Sequence, residues 1–258
     1  VVHNSKAVSD HLIGFNFPDY NITPFMDHTN SSFGTINEVL PLLYLIMRCI
    51  VDLKLSSINL YGFSAGGAAI INALAVLNQT IYDQSLKKIG ISSIIKKRMI
   101  RALEHGLIVL DCPLKSVEEV IEIRGSSPDL EMIAARHIAN NMRPIDALFL
   151  LKGLRLNIIL SFQVPDHTIN NRDDTIFINR LRKVNKHGLN HIVIAHDGGH
   201  SSFHTTLWNY YKKVRATREY KQLIMELNHN FQKSPDFSAT AYQTHDNLNL
   251  MNLDHEEK

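Results

Sequence analysis

A chain of 258 residues, 45% of them hydrophobic, is long enough to bury a large core and is expected to form one domain. Its formal charge of +2 is small, and Lys and Arg are spread along the chain rather than gathered in a block, which argues against nucleic acid as a partner. The longest apolar run, Val39 to Val51, is broken by Pro41 and Arg48 and falls short of the about 20 residues a bilayer span needs, so no membrane span is expected. Cys49 and Cys112 form neither a CxxC pair nor a disulfide framework, which makes a reduced, cytoplasmic chain the simpler expectation. The chain begins Val1-Val2-His3, without methionine or a signal-like segment, as a processed form or a piece of a longer protein would.

In chain order, short apolar stretches bounded by turn residues predict strands at His11 to Phe17, Ser56 to Tyr61, Gly106 to Asp111, Leu156 to Phe162 and His191 to His196. Between them, helical periodicity predicts helices at Thr35 to Leu53, Ala65 to Asn78, Ile91 to His105, Val117 to Ile123, Asp173 to Asn185 and Ser202 to Phe231. Gly106 and Gly188 fall where helix C-caps are expected. The alternation predicts an α/β fold, a mostly parallel sheet with helices on both faces. Residues 126–153 are helical in composition, carry Pro128 and Pro144 and lack a strand, so they read as a small helical cap inserted over one end of the sheet. The domain is expected to run over 1–231. Residues 232–258 are polar and aperiodic, too poor in large apolar side chains to offset the entropy of ordering, and read as a mobile tail.

The segment Ser57-Ile58-Asn59-Leu60-Tyr61-Gly62-Phe63-Ser64-Ala65-Gly66-Gly67 sets a GxSxG motif directly after an apolar strand and directly before an Ala-rich helix. A serine at such a sharp turn adopts a strained backbone and presents its hydroxyl above the sheet edge, with glycine at Gly62 and Gly66 expected to leave room for the chain to pass close to itself. The helix that follows points its unpaired amides and positive dipole end toward the place where an oxyanion would form. The plain alternative, a tight turn without chemistry, is disfavoured by the strand and helix on either side. Ser64 is the candidate nucleophile.

A serine hydroxyl needs a base, and histidine is the side chain whose pKa suits that task near neutrality. Of 14 histidines, His200 alone follows a buried strand in a tight glycine loop late in the chain, Ala195-His196-Asp197-Gly198-Gly199-His200. His196 sits at the strand end and reads as structural, and His204 could at most line the pocket. The base in turn needs a carboxylate to fix its tautomer and stabilise the imidazolium. The loop Gln163 to Ile169, after a predicted strand, offers Asp166, giving the order Ser, Asp, His that accompanies a GxSxG elbow. Asp173 and Asp174 are the alternatives, although both also suit the first turn of the following helix. No HExxH or Cys-His spacing suggests a metal.

These segments resemble the α/β-hydrolase family over roughly Leu12 to Trp208. Gly62-Phe63-Ser64-Ala65-Gly66-Gly67 is similar to the family's nucleophile elbow, Ile159 to Ile169 to its acid strand and loop, and Gly198-Gly199-His200 to its histidine loop. Leu107 to Val120 is similar to the strand and loop that lead into a variable cap. Ile13 to Tyr20 is similar to the strand and loop one crossover before the elbow, with Asn16 where an aspartate is frequent. The HG-type loop that would supply a second oxyanion donor has no counterpart, His3-Asn4 being at best a remnant, so the N-terminal strands are expected to be missing or diverged. The resemblance implies cofactor-free hydrolysis of acyl esters or related acyl bonds through an acyl-enzyme, with the amide of Ala65 as an oxyanion donor. A small-molecule acyl substrate is expected, with carboxylesterase or lipase-like activity ahead of peptidase or thioesterase activity. Met132, Met142, Leu148, Phe149 and Leu150 either line an acyl pocket or pack the insertion onto the body. The rival from another class is a non-catalytic binding protein of the same fold.

Overall fold

A computed structural model describes residues 2–4, 11–13, 34–164, 166–169, 171–196 and 200. Two short strands come first, β1 (Val2–Asn4) and β2 (His11–Ile13), paired antiparallel with Val2 opposite Ile13. Strand β1 is absent from the sequence expectations. Strand β2 occupies the start of the predicted strand at His11 to Phe17, but it pairs with β1 instead of entering the main sheet.

A 3-10 turn at Ile36–Glu38 leads into α1 (Leu40–Val51), with Pro41 in its first turn where a missing amide costs nothing. Strand β3 (Leu60–Phe63) runs into α2 (Ala65–Asn78), followed by a 3-10 turn at Thr80–Tyr82, α3 (Asp83–Lys88) and α4 (Ser93–Glu104). Then come β4 (Ile108–Asp111), α5 (Val117–Arg124), α6 (Pro128–Ala139), α7 (Pro144–Ala147) and a 3-10 turn at Leu148–Leu151. Strand β5 (Asn157–Val164), a 3-10 turn at Asn171–Asp173, α8 (Asp174–Val184) and β6 (Leu189–His196) complete the described elements. The helix predicted at Ser202 to Phe231 and the tail lie outside the described residues.

Strands β3, β4, β5 and β6 form a parallel sheet in sequence order, with Phe63 opposite Asp111 and Asp111 opposite Ser161. Helices pack around this sheet, and the fold is α/β. One face carries Leu60, Ile108, Leu110, Ile158, Leu160, Phe162 and Ile192 into a core shared with Leu43, Ile46 and Ile50 of α1, Ile71 and Leu74 of α2, Met99 and Leu103 of α4, and Phe177 and Leu181 of α8. The other face carries Leu107, Val109, Tyr61 and Ile159, joined by buried Asp111, Ser161 and Gln163. Helix α2 is buried on nearly every side because its small residues let it lie close to the strands.

Two glycines owe their places to close approach and not to a left-handed C-cap. A Cβ on Gly106 would lie 1.8 Å from the carbonyl oxygen of Ile58, and one on Gly188 2.2 Å from that of Leu156, so each lets the chain leaving a helix pass against a neighbouring strand start. The C-caps themselves are His105 and Asn185.

The region expected to form a cap divides in two. Helix α6, capped by Ser127 accepting from the amide of Leu130, packs on α5. Residues 142–154 instead enter the main core through Met142, Ile145, Leu148, Leu151 and Leu154, and Asn72 of α2 donates to the carbonyl of Met142. Met142 and Leu148 therefore pack the segment onto the body, while Phe149 is exposed. No helix among the described residues is long and apolar enough to cross a membrane.

Candidate active site

Ser64 is the residue between β3 and α2, and its φ of 52° with ψ of −118° is a conformation that a side chain rarely tolerates. Such strain costs on the order of 1–3 kcal/mol. Backbone hydrogen bonds on both sides hold it: the Ser64 amide donates to Asp111 O at 2.9 Å, and the Ser64 carbonyl accepts from the amides of Gly67, Ala68 and Leu114 at 3.0, 3.3 and 3.0 Å. At about 0.5–1.5 kcal/mol each, four such bonds are enough to hold the strained turn.

The elbow needs two glycines, but not the pair expected. A Cβ on Gly62 would lie 2.6 Å from Gly66 O, and one on Gly67 2.8 Å from Pro113 Cβ, whereas one on Gly66 would meet nothing within 4 Å among the described residues. The room argument therefore holds at Gly62 and fails at Gly66. Pro113, in the loop after β4, is what makes Gly67 necessary.

His200 Nε2 lies 2.9 Å from Ser64 Oγ, and His200 Nδ1 lies 2.7 Å from Asp166 Oδ2. The imidazole packs against Phe63, ring centroids 4.9 Å apart. The second carboxylate oxygen of Asp166 accepts from the amides of Thr168 and Ile169 at 2.7 and 3.0 Å. Burial pushes the Asp166 pKa up, but the hydrogen bonds from His200, Ile169 and Thr168 outweigh it, and the net direction is below the usual carboxylate value. Ser64, His200 and Asp166 thus come together from positions up to 136 residues apart.

The alternative acids sit elsewhere. Asp173 occupies the N-cap position of α8, and Asp174, its first residue, accepts at Oδ1 from the Lys115 ammonium at 2.5 Å and at Oδ2 from Asn171 Nδ2 at 2.7 Å. Burial holds the Asp174 pKa above the ordinary value despite Lys115 and Asn171, the opposite direction from Asp166. The side chain of His196 and all of His204 lie outside the described residues.

The amide of Ala65 is in the first turn of α2, has no intrahelical acceptor and donates to no described residue, so it is available to a developing oxyanion. Beneath the site, Tyr61 OH donates to Asp111 Oδ2 at 2.9 Å and Ser161 Oγ to Asp111 Oδ1 at 2.6 Å. Burial, then the charge of Asp111, raises the Tyr61 phenol pKa and keeps it a donor. Cys112, at φ 43°, completes a group in which its Sγ and ligand atoms of Asp166 and His200 lie within 4.8 Å of one another, the one such set of metal-type donors among the described residues. Burial and the charges of Asp111 and Asp166 keep that thiol protonated, and the two other donors already bind each other.

Sequence reasoning did not single out Asp111, Cys112, Lys115 or Asn171. A run of polar residues, Asp111 and then Lys115-Ser116, breaking into the apolar stretch around β4 was the signal available, but their partners lie up to 59 residues away.

The fold and the site together have the parallel sheet, strand–turn–helix serine and Ser, Asp, His order that a resemblance to the α/β-hydrolase family implies. No model of a known protein family matches the chain, and no curated protein matches it. Among solved structures, it is similar to the carboxylesterase Cest-2923 from Lactobacillus plantarum WCFS1 at 13% identity, over 64% of this chain and 55% of that one, with a TM-score of 0.49. It is also similar to Esterase B from Lactobacillus Rhamnosis (HN001), at 13% identity over 82% of this chain and 63% of that one, TM-score 0.41. An acylaminoacyl peptidase matches at 14% identity over 67% of this chain and 24% of that one, TM-score 0.43. The chain thus spans less than two thirds of the length of each.

Proposed function

We propose that this chain is a serine hydrolase that cleaves acyl esters through a Ser64–His200–Asp166 triad and an acyl-enzyme. The observation that carries the reading is the unbroken hydrogen-bond line from Ser64 Oγ through both ring nitrogens of His200 to Asp166, starting from a serine in a strained elbow. His200 Nε2 takes the Ser64 proton as Oγ bonds to the acyl carbon, and the carbonyl π electrons move onto oxygen, where the Ala65 amide donates to the oxyanion. Asp166 stabilises the imidazolium, which then protonates the leaving alcohol as the C–O bond breaks. Water, deprotonated by the same histidine, releases the acid and restores Ser64.

Esters are proposed ahead of amides and thioesters. An alkoxide leaves more readily than the nitrogen anion of an amide, so an ester makes a smaller demand than an amide on an oxyanion site with one named donor, and a panel of acyl esters, thioesters and anilides separates the classes. A cytoplasmic setting forms part of the proposal, in keeping with Cys49 and Cys112 being unpaired. The test is labelling with a fluorophosphonate probe: the native chain is expected to label, and Ser64→Ala and His200→Ala are not, with turnover of Ser64→Ala lower by about 10⁶-fold. A folded native chain that does not label would overturn the proposal and leave a binding protein of the same fold.

A further inference from the structure

Lys115 is the largest fully buried side chain that carries a charge, only 1% exposed, in the loop between β4 and α5. Its ammonium sits 2.5 Å from Asp174 Oδ1, 3.3 Å from Glu119 Oε1 and 5.2 Å over the ring of Phe162. A buried lysine–carboxylate pair is not needed for stability, since apolar residues of similar volume generally fill such a space as well or better. Its connections point to another use. Asp174 Oδ2 accepts from Asn171 Nδ2, the same amide nitrogen donates to Gln163 O at 2.8 Å, and Asn171 Oδ1 accepts from the amide of Asp166 at 2.9 Å. Asn171 therefore ties both ends of the acid loop together, and Asp174 holds Asn171 in place. On the other side, Leu114 donates its amide to Ser64 O at 3.0 Å, and Lys115 O accepts from Ile145 N at 2.9 Å. The dipeptide Leu114-Lys115 thus touches the elbow with its backbone and the acid loop with its charge.

We infer that Lys115, Asp174 and Asn171 are positioning residues, which fix the Asp166 loop relative to the Ser64 elbow so that the carboxylate meets His200 Nδ1. This rests on the triad reading of the site. Asp166 makes no contact with Lys115 itself; what passes along the line Lys115–Asp174–Asn171 is the location of the Asp166 backbone. A displacement of that carboxylate weakens its hold on the imidazolium, so His200 becomes harder to protonate and turnover falls.

The experiment compares native protein with Asn171→Ala and with Lys115→Met/Asp174→Asn, a double variant that removes the Lys115–Asp174 ion pair while an amide oxygen still accepts from Asn171. Rates are expressed per fluorophosphonate-reactive site, and folding is followed by circular dichroism. Asn171→Ala is expected to lower kcat by about 10- to 100-fold with KM nearly unchanged, and to move the acid limb of the kcat/KM profile to lower pH. The double variant is expected to show the same two changes to a smaller degree. It carries the test if Asn171→Ala fails to fold. Either variant, folded, with native kcat per active site and an unmoved acid limb overturns the inference and leaves Lys115 a structural residue. Failure of the triad reading is distinguishable, because it would show as a native protein that does not label at Ser64.

Discussion

Among the described residues, two histidine–carboxylate pairs lie buried or partly buried, and one of them leads to a serine. In the first, His200 Nδ1 and Asp166 Oδ2 are 2.7 Å apart, and the other ring nitrogen reaches Ser64 Oγ. In the second, His137 Nε2 of α6 and Glu38 Oε2 are 3.4 Å apart, Glu38 also accepts from the amide of Gly34 at 2.8 Å, and His137 Nδ1 has no hydrogen-bond partner among the described residues. The second pair ties the entry to α1 onto α6, where Gly34, at φ +80°, lies tight against Arg136. A histidine beside a carboxylate is therefore not a catalytic signature by itself. What separates the pairs is what the second ring nitrogen meets: Ser64 Oγ in the first, and no hydrogen-bond partner among the described residues in the second.

The largest expected difference between the pairs is in turnover. Asp166→Asn should lower kcat by about 10³- to 10⁴-fold, because an amide neither fixes the tautomer nor stabilises the imidazolium. Glu38→Gln should leave kcat per fluorophosphonate-reactive site within about twofold, because Glu38 meets His137 and Gly34 and no residue of the triad. Steady-state kinetics on both variants breaks the comparison if the two effects are alike. The hydrogen bonds that lower the Asp166 pKa also set a sign for stability: that contribution is present above the ordinary aspartate value and is lost as pH falls through the lower folded value.

A smaller change turns the first pair into a likeness of the second. An alanine at Gly62 places its Cβ 2.6 Å from Gly66 O, so the elbow must shift and Ser64 moves off His200 Nε2. Gly62→Ala is expected to lower stability by about 1–3 kcal/mol and to slow fluorophosphonate labelling strongly. Gly66→Ala, which meets nothing within 4 Å among the described residues and lies in the first turn of α2, is expected to hold or raise the melting temperature, by up to about 1 kcal/mol in stability. Equal effects at the two glycines would mean that backbone room does not decide the elbow.

These contrasts also mark what was readable in the residues alone. The elbow was readable because its signals are local: an apolar strand, a serine between glycines and an Ala-rich helix that runs over Ala65–Asn78 as expected. Asp166 was accessible through the loop after β5, and the structure brings it to His200 while turning Asp174 toward Lys115. The unread parts depend on distant pairings. Nothing near Glu38 announces His137, 99 residues on, and nothing near Lys115 announces Asp174, 59 residues on. Residues 126–153 were read as a single cap because helical composition looks the same in α6, on the surface of α5, and in the core-forming stretch from Met142 to Leu154. Only tertiary packing separates them.

Another buried carboxylate shows how far burial prevails where a neighbouring cation donates no oriented hydrogen bond. Glu119, 0% exposed, stands 3.3 Å from the Lys115 ammonium, yet neither of its oxygens accepts an oriented hydrogen bond from a described residue. Burial pushes its pKa up to about 7, Lys115 pulling it down and Asp173 and Asp174 raising it further. A folded value above the unfolded one means that the folded state holds the extra proton, so stability falls as pH rises from the ordinary glutamate range to about 7 and stays lower above it. Glu119→Gln lacks that titration. It is expected to match the native chain near pH 5 and to exceed it at pH 8 by on the order of 2 kcal/mol, measured by urea denaturation at both values. If Lys115 instead governs Glu119, the sign reverses: the ion pair stabilises the native chain at pH 8, and the glutamine variant is the weaker of the two there. Asp174 already takes Lys115 at 2.5 Å with an oriented hydrogen bond, which leaves Glu119 the geometry of proximity without donation, and the first outcome follows from that difference.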